Sequence, residues 1–155
     1  MAYEELKQRQ SAMWGTGPYQ RITETITDLH EAVVERLAPE PGDRWLDLAC
    51  GTGAVAERAA AAGAEVTGLD LAPVLIETAK GRAAELGLEI DYVVGDAERL
   101  GFPDASFDKV SSTVGIMFAP DHEAAARELA RVTAPRGGSR SRAGPPRAAS
   151  ERCSR

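Results

Sequence analysis

A glycine-rich turn between an apolar strand and a helix is the first place in the sequence where chemistry is expected. In WLDLACGTGAVA, at positions 45–56, Gly51, Gly53 and Ala56 match the pattern G-x-G-x-x-A. The two glycines permit backbone angles that other residues avoid, and they let a ligand approach the main chain closely. Because the helix that follows points its first N–H groups at the turn, the pattern indicates a site for an anion such as a phosphate or a carboxylate.

A carboxylate at the end of the second predicted strand is suited to binding a ribose. Asp70 lies 19 residues after Gly51, where it can accept hydrogen bonds from two ribose hydroxyls. These two features fit an NAD(P)-dependent oxidoreductase as well as any other nucleotide-binding enzyme of this architecture. They predict a nucleotide site, but they do not show whether the enzyme is an NAD(P)-dependent oxidoreductase or another nucleotide-binding enzyme.

Asp47 argues against the oxidoreductase. A central parallel strand is buried on both faces, so the first strand of a dinucleotide-binding unit is normally apolar up to its glycine turn. A carboxylate buried there is costly unless a polar or cationic group compensates it. A ligand with its own positive charge would do so. The alternative is that Asp47 only accepts hydrogen bonds from backbone amides of the turn.

Four sequence blocks in a fixed order support the cationic ligand. LDLACGTG is followed by VTGLDLAP, GDAERLGFPDASFD and FDKVSSTVGIMF, and then by ELARVTAPRGG. In these blocks the chain resembles the class I S-adenosylmethionine-dependent methyltransferases, over about residues 12–135 and of the small-molecule type. The resemblance implies a Rossmann-like, three-layer α/β/α fold with a mainly parallel sheet. It also implies S-adenosylmethionine as the cofactor and methyl transfer to a small-molecule acceptor.

The same resemblance implies where the methionine end and the ribose of the cofactor would bind. The methionine end would be held by Asp47 and by the turn Ala49–Gly53, which includes Gly51 and Gly53. Ala49 stands where the family often has a first glycine. Asp70 would bind the ribose hydroxyls. Ser112 or Thr113, just past the fourth strand, would lie near the methionine amino group.

For the adenine the resemblance implies three further residues. Leu71 would pack against the ring, Asp96 would accept from the adenine amino group, and the backbone N–H of Ala97 would face a ring nitrogen. The alternative for Asp96 is a turn residue that caps the loop after the third strand.

No residue stands out as catalytic, and no metal site is predicted. Trp14 and Tyr19, in the segment MWGTGPY, are candidates for a lid or a substrate wall, with core packing as the alternative. His122, at the start of the last helix, is a candidate base. His30 is expected on the surface of an amphipathic helix, and Cys50 is expected to be a small side chain in a tight turn.

Strands alternate with helices along the chain, which predicts parallel pairing and right-handed crossovers. The resemblance to the family implies the strand order 3-2-1-4 for the four strands that are present. The predicted helices cover residues 23–37, 54–62, 73–86 and 121–132, and the predicted strands cover 44–49, 65–69, 89–94 and 107–114.

The composition excludes several classes of protein. The chain has 155 residues and a net charge of -6, and it contains no apolar run long enough for a membrane helix. Its charged N-terminus does not fit a secretory signal, and its two cysteines do not suggest a disulfide framework. An acidic body argues against a nucleic-acid surface. We therefore expect a cytoplasmic protein with no nucleic-acid or membrane partner.

The sequence predicts three segments: a helical lid at 1–40, the partial cofactor-binding core at 41–135 and a basic, disordered tail at 136–155. The tail contains six arginines and one glutamate, but no Val, Ile, Leu or aromatic residue. Strands five to seven of the family's sheet are therefore expected to be missing. Read two bases later, one permitted codon choice for residues 138–145 encodes the strand-like FALARWT, which indicates a frameshift; the alternative is a genuine short protein.

The missing strands have a physical consequence. Strand four would form an open edge, and its apolar run VSSTVGIMF would lack a partner strand and much of its cover. Self-association through that edge, or marginal stability, is expected.

Overall fold

A parallel sheet of four strands forms the centre of the molecule, in the order β3-β2-β1-β4. The structure, a computed structural model, describes residues 3–135. The predicted α/β class, parallel pairing and strand order are confirmed. The strands are β1 Arg44–Leu48, β2 Glu65–Asp70, β3 Ile90–Val94 and β4 Lys109–Ser111.

Helices cover both faces of this sheet. The helices are α1 Glu4–Trp14, α2 Tyr19–Thr25, α3 Thr27–Leu37, α4 Ala54–Ala61, α5 Pro73–Leu86 and α6 His122–Val132, with a 3-10 turn at Ile116–Phe118. Trp45 packs on one face with residues of α4 and α5, whereas Leu46 and Leu48 pack on the other with Val132 of α6. This division follows from the alternation of side chains along a strand. It gives the three layers of the predicted fold.

The boundaries of α5 and α6 agree closely with the sequence prediction, whereas α1 was not among the predicted helices. Pro73 begins α5 at a position that needs no N–H donor, and Gly87 ends it in the left-handed conformation. The Asp121 carboxylate accepts a hydrogen bond from the N–H of Ala124 and caps α6 as predicted. The cap residues decide these boundaries locally, so the sequence alone is sufficient to place them.

The predicted helix at 23–37 is wrong in one respect, because the structure breaks it into α2 and α3. The break lies at Ile26, whose φ of -115° and ψ of 25° are not helical. Thr25, Ile26 and Thr27 are three consecutive β-branched residues, which fit a helix poorly.

The predicted fourth strand is also too long. It was expected at 107–114, but only Lys109–Ser111 pairs with β1. Phe107 instead forms a parallel bridge with Thr133, and Val114 adopts a left-handed φ of 58°, which ends the extended segment. The open edge is therefore shorter than expected. The predicted tail at 136–155 lies outside the described residues.

No helix within residues 3–135 is both long enough and apolar enough to cross a bilayer.

Candidate functional site

A cavity of about 290 Å³ lies where the carboxyl ends of β1, β2 and β3 meet. Ligands of open α/β sheets bind at this edge, outside the carboxyl ends of the strands. The three predicted carboxylates Asp47, Asp70 and Asp96 all line it. The structure also places Ala49, Leu71, Ala97 and Thr113 in its wall, together with Trp14 and Tyr19.

Three residues of the glycine turn have a positive φ. The values are 55° at Ala49, 57° at Gly51 and 94° at Gly53. Gly51 and Gly53 do not line the cavity, because a tyrosine ring covers each of them. A methyl group at Gly51 would lie 2.3 Å from Oη of Tyr19, and one at Gly53 would lie 2.2 Å from Oη of Tyr92. Glycine is therefore required twice over, by backbone angle and by close packing.

Asp47 is almost fully buried and is held in a chain of hydrogen bonds. The Ser111 hydroxyl donates to Oδ1 of Asp47 at 2.9 Å, and the Trp45 indole N–H donates to that hydroxyl at 2.9 Å. The backbone N–H of Ala56, in the first turn of α4, also favours the ionised carboxylate. Burial raises the pKa of Asp47 to about 7, although these donors oppose the rise and the charge of nearby Asp70 adds to it. No cationic side chain among residues 3–135 pairs with it.

Asp70 is oriented by the backbone. Its Oδ2 accepts the N–H of Gly51 and its Oδ1 accepts the N–H of Ala72, both at 2.9 Å. Burial raises the pKa of Asp70, and these amide donors oppose the rise. Each carboxylate oxygen can accept two hydrogen bonds, and a backbone N–H already occupies one acceptor position on each oxygen of Asp70. The free acceptor position on each oxygen therefore has a fixed direction.

Asp96 and Glu98 meet a lysine from the N-terminal helix. Lys7 Nζ lies 2.6 Å from Oδ2 of Asp96 and 2.5 Å from Oε2 of Glu98, and the Lys7 side chain is buried. Asp96 also caps its own loop, because its Oδ1 accepts the N–H of Glu98 at 2.9 Å. Asp96 therefore caps the loop after β3 and also lines the cavity, so the two roles given as alternatives from the sequence do not exclude each other.

Two polar contacts and an aromatic pair hold the rest of α1 over the cavity. The Ser11 hydroxyl donates to the carbonyl of Leu71 at 3.0 Å, and the Gln10 amide donates to the carbonyl of Phe118 at 3.0 Å. The Trp14 ring packs edge-on against the Phe118 ring, with 5.0 Å between their centroids. These contacts come from two different loops of the sheet edge.

Of the two residues predicted after β4, the structure brings only one to the cavity. Thr113 lines it, and its Oγ1 is buried without a hydrogen-bond partner among the described residues. Ser112 does not line the cavity and instead accepts the N–H of Ile116 at 3.1 Å. Sequence reasoning missed Ser111, which holds Asp47. The parallel register places Ser111 directly opposite Asp47, and nothing in the sequence alone gives this register.

The positions of the two histidines differ from those predicted. His122 is exposed, does not line the cavity, and donates from Nε2 to the carbonyl of Met117 at 3.1 Å. His30 was expected on the surface, but it is only 6% exposed and lines the cavity. His30 lies three residues before Val33 and seven before Leu37, so it shares the face of α3 that packs on the core, and the helical period itself could have shown this. Cys50 is buried, with a pKa raised by burial.

A family model described as a methyltransferase domain matches residues 46–139, which is more than half of the chain. The chain belongs to this methyltransferase family. With its sheet order and its relatives, it is a member of the class I S-adenosylmethionine-dependent methyltransferases, so the predicted resemblance is confirmed. S-adenosylmethionine is the cofactor expected of the family.

Three relatives of this methyltransferase chain illustrate the similarity. An uncharacterised protein of Mycobacterium tuberculosis is 43% identical over 127 residues, which cover 81% of this chain and 46% of the relative. A demethylmenaquinone methyltransferase of Thermus thermophilus is 45% identical over 96 residues, which cover 61% of this chain and 44% of the relative. The crystal structure of the YcgJ protein from Bacillus subtilis has a TM-score of 0.65 and 30% identity, covering 68% of this chain and 45% of that one. The chain spans less than half the length of each.

Ser111 gives a stability prediction for this methyltransferase chain. Ser111→Ala removes the acceptor of the Trp45 indole and the donor to Asp47, so we expect the free energy of unfolding to fall by about 2 kcal/mol. Urea unfolding measures the change. The matched control is Ser112→Ala, which loses one half-buried hydrogen bond and should cost less. An equal cost for the two variants would contradict the role assigned to Ser111.

Proposed function

We propose that the chain binds S-adenosylmethionine in the cavity at the carboxyl ends of β1, β2 and β3. The observation that carries the proposal is the convergence of Asp47, Asp70 and Asp96 on one cavity. The methionine end would lie at Asp47 and Ala49, since Gly51 and Gly53 of the turn do not line the cavity, and Asp70 would accept from the ribose hydroxyls. Leu71, Asp96 and Ala97 would contact the adenine.

Two features of the cavity support a cationic ligand in particular. Asp47 is a buried carboxyl group with no cation beside it in the described part of the chain, and the Thr113 hydroxyl is buried there without a partner. Both conditions are unfavourable without a ligand, since buried polar groups normally have partners. The positive charges of the cofactor's ammonium and sulfonium groups would offset the burial of the Asp47 carboxylate. The ammonium group can also donate a hydrogen bond to the Thr113 hydroxyl.

We further propose that the activity of the whole protein is methyl transfer to a small-molecule acceptor. The bound cofactor supplies an electrophilic methyl group whose sulfur departs as a neutral thioether. The chain itself would contribute orientation and exclusion of water, and orientation alone is worth up to about 7–11 kcal/mol. The apolar wall formed by Trp14, Ile22, Ile116 and Phe118 supports an acceptor with little charge. The demethylmenaquinone methyltransferase of Thermus thermophilus supports a small acceptor of this kind.

A non-catalytic binding module is the second candidate, since the chain spans less than half of its relatives. The test is incubation with methyl-labelled S-adenosylmethionine and 1,4-dihydroxynaphthalene as a probe acceptor. Label in the naphthol product would establish transfer, whereas cofactor binding without transfer to this or other phenolic probes would favour the module. Tighter binding of NAD than of S-adenosylmethionine would favour an oxidoreductase instead.

Helix α1 is proposed to act as a lid over the adenine end. Lys7→Met would leave Asp96 and Glu98 without their buried cation, which is strongly unfavourable. We expect the dissociation rate of S-adenosylhomocysteine to rise about tenfold, measured by stopped-flow displacement. Arg9→Met is the control, because Arg9 pairs with Glu5 on the exposed side of the same helix. Equal rates in the two variants would contradict a lid held by Lys7.

The β4 edge is proposed to mediate self-association with a second copy. Within residues 3–135 β4 pairs with β1 alone, and the apolar side chains of Val114, Met117 and Phe118 that follow it are more than 40% exposed. We expect the sedimentation coefficient to rise with protein concentration. A single monomeric species at every concentration would contradict this proposal.

A further inference from the structure

Glu98 is a nearly buried carboxylate that joins two segments far apart in the sequence. Its Oε2 lies 2.5 Å from Nζ of Lys7 in α1, and its Oε1 accepts the N–H of Asp121, the N-cap of α6, at 2.8 Å. Its own N–H donates to Oδ1 of Asp96 at 2.9 Å. The Glu98 side chain is 8% exposed and does not line the cavity, so any effect it has on a ligand must act through these neighbours.

Helix α1 rests on the cavity through polar contacts rather than through apolar burial. Lys7 is the only buried residue of this helix. The contact residues occupy positions i, i+3, i+4 and i+7 and therefore share one face: Lys7, Gln10, Ser11 and Trp14. A helix that buries so little apolar area separates from the rest of a protein at low cost in free energy. Any change that strengthens one of these contacts therefore stabilises the docked position of the whole face.

The loop at 115–121, between β4 and α6, is anchored by α1 and by Glu98. The residues of this loop that line the cavity are Gly115, Ile116, Phe118, Ala119 and Pro120. The Gln10 amide of α1 donates to the carbonyl of Phe118, and the Trp14 ring packs against the Phe118 ring. Glu98 holds the end of the loop at Asp121. The position of this part of the cavity wall therefore depends on α1 and on Glu98.

Asp96 is the most exposed member of the cluster that holds Lys7. The Asp96 side chain is 29% exposed and lines the cavity, whereas the side chains of Lys7 and Glu98 are only 9% and 8% exposed. A ligand that lies on Asp96 would exclude water from this carboxylate. The lower effective dielectric constant would strengthen the ion pair between Asp96 and Lys7. Because Asp96 and Glu98 share Lys7, a firmer hold on Lys7 also fixes Glu98.

We propose that Glu98 is a positioning residue that couples occupation of the adenine end of the cofactor site to the order of the 115–121 loop. The inference rests on the proposed function, because it takes Asp96 as the residue beside the adenine. In the free chain α1 opens readily and the loop loses its anchors with it, whereas in the bound chain both are held. Since the loop forms part of the wall on which the acceptor would lie, the cofactor is expected to bind before the acceptor.

Hydrogen exchange measured by mass spectrometry tests the coupling without any methyl transfer. Three amides of the loop are hydrogen-bonded in the structure, those of Phe118, Ala119 and Asp121. Saturating S-adenosylhomocysteine should slow their exchange in the wild type by at least about fivefold, the lower end of the range for coupled sites. In Glu98→Ala, compared at equal saturation, the slowing should be less than about twofold.

Glu98→Gln is the second variant, because it keeps an acceptor for Asp121 and removes only the charge that faces Lys7. It should also lose most of the slowing. The matched control is Glu123→Gln, which changes the net charge equally at an exposed residue of α6 that pairs with Arg127, and it should keep the wild-type effect. A merely structural role of Glu98 would speed exchange equally with and without the ligand, so the ratio of the two rates would stay as in the wild type.

The outcomes separate this inference from the proposed function. Slower exchange on binding that is lost in both Glu98 variants and kept in Glu123→Gln is the expected result. If S-adenosylhomocysteine binds the wild type but leaves exchange in the loop unchanged, or if either Glu98 variant keeps the full slowing, the coupling is refuted and the proposed function stands. Failure of the folded chain to bind S-adenosylhomocysteine at all would overturn both.

Discussion

Asp70→Asn is expected to weaken the binding of S-adenosylhomocysteine by about 100-fold or more. Two hydrogen bonds from ribose hydroxyls to a carboxylate would be lost or reversed, and bonds to charged groups are each worth about 1.5–3 kcal/mol. The fixed bonds from Gly51 and Ala72 orient this carboxylate, so the site cannot easily adapt. Calorimetric titration at constant pH measures the loss.

The control for this prediction is Asp91→Asn. Asp91 lies on β3, is exposed, and does not line the cavity, yet its replacement changes the net charge by the same amount. Its affinity should equal that of the wild type. If both variants bind alike, Asp70 does not contact the ligand and the proposed ribose site is wrong.

Asp47→Asn is expected to have opposite effects on stability and on cofactor binding. The pKa of Asp47 is raised to about 7 by burial, so the folded state holds a proton that the unfolded state releases near pH 4. Its contribution to stability therefore falls as pH rises from about 4 to 7 and is constant above that. The neutral amide avoids this cost, so the variant should be more stable than the wild type by on the order of 4 kcal/mol at pH 8, and the difference should shrink as the pH falls and vanish below about pH 4.

Binding of S-adenosylmethionine should respond in the opposite sense. A cationic ligand needs the ionised form of Asp47, so the ratio of wild-type to Asp47→Asn affinity should rise about tenfold between pH 5.5 and 7. The ratio is used because Asp70 and His30 also line the cavity, and any change in their charge with pH affects both proteins alike. A ratio that is independent of pH would show that the charge of Asp47 has no part in binding.

Much of the fold could be predicted because the deciding residues act locally. Pro73, Gly87 and Asp121 set helix ends through their own backbone and side-chain chemistry. The alternation of helices and strands was enough to give parallel pairing, and the resemblance to the family gave the order of the four strands. The placement of Asp47, Asp70 and Asp96 at one edge then follows, because parallel strands all end on the same side.

What could not be predicted depends on contacts between distant segments. Ser111 reaches Asp47 through the register of β4 against β1, and sequence reasoning chose its neighbours Ser112 and Thr113. The break at Ile26, which divides one predicted helix into α2 and α3, also goes beyond what the periodic apolar pattern shows. These are the places where tertiary packing, rather than local preference, decides the outcome.

The most direct test of the central claim is a calorimetric titration of the 155-residue chain with S-adenosylhomocysteine. The account predicts saturable binding with one site per chain, because the cavity between α1 and the ends of β1–β3 lies entirely within residues 3–135. Absence of binding by folded protein would contradict the account, since these residues would then not suffice to form a cofactor site.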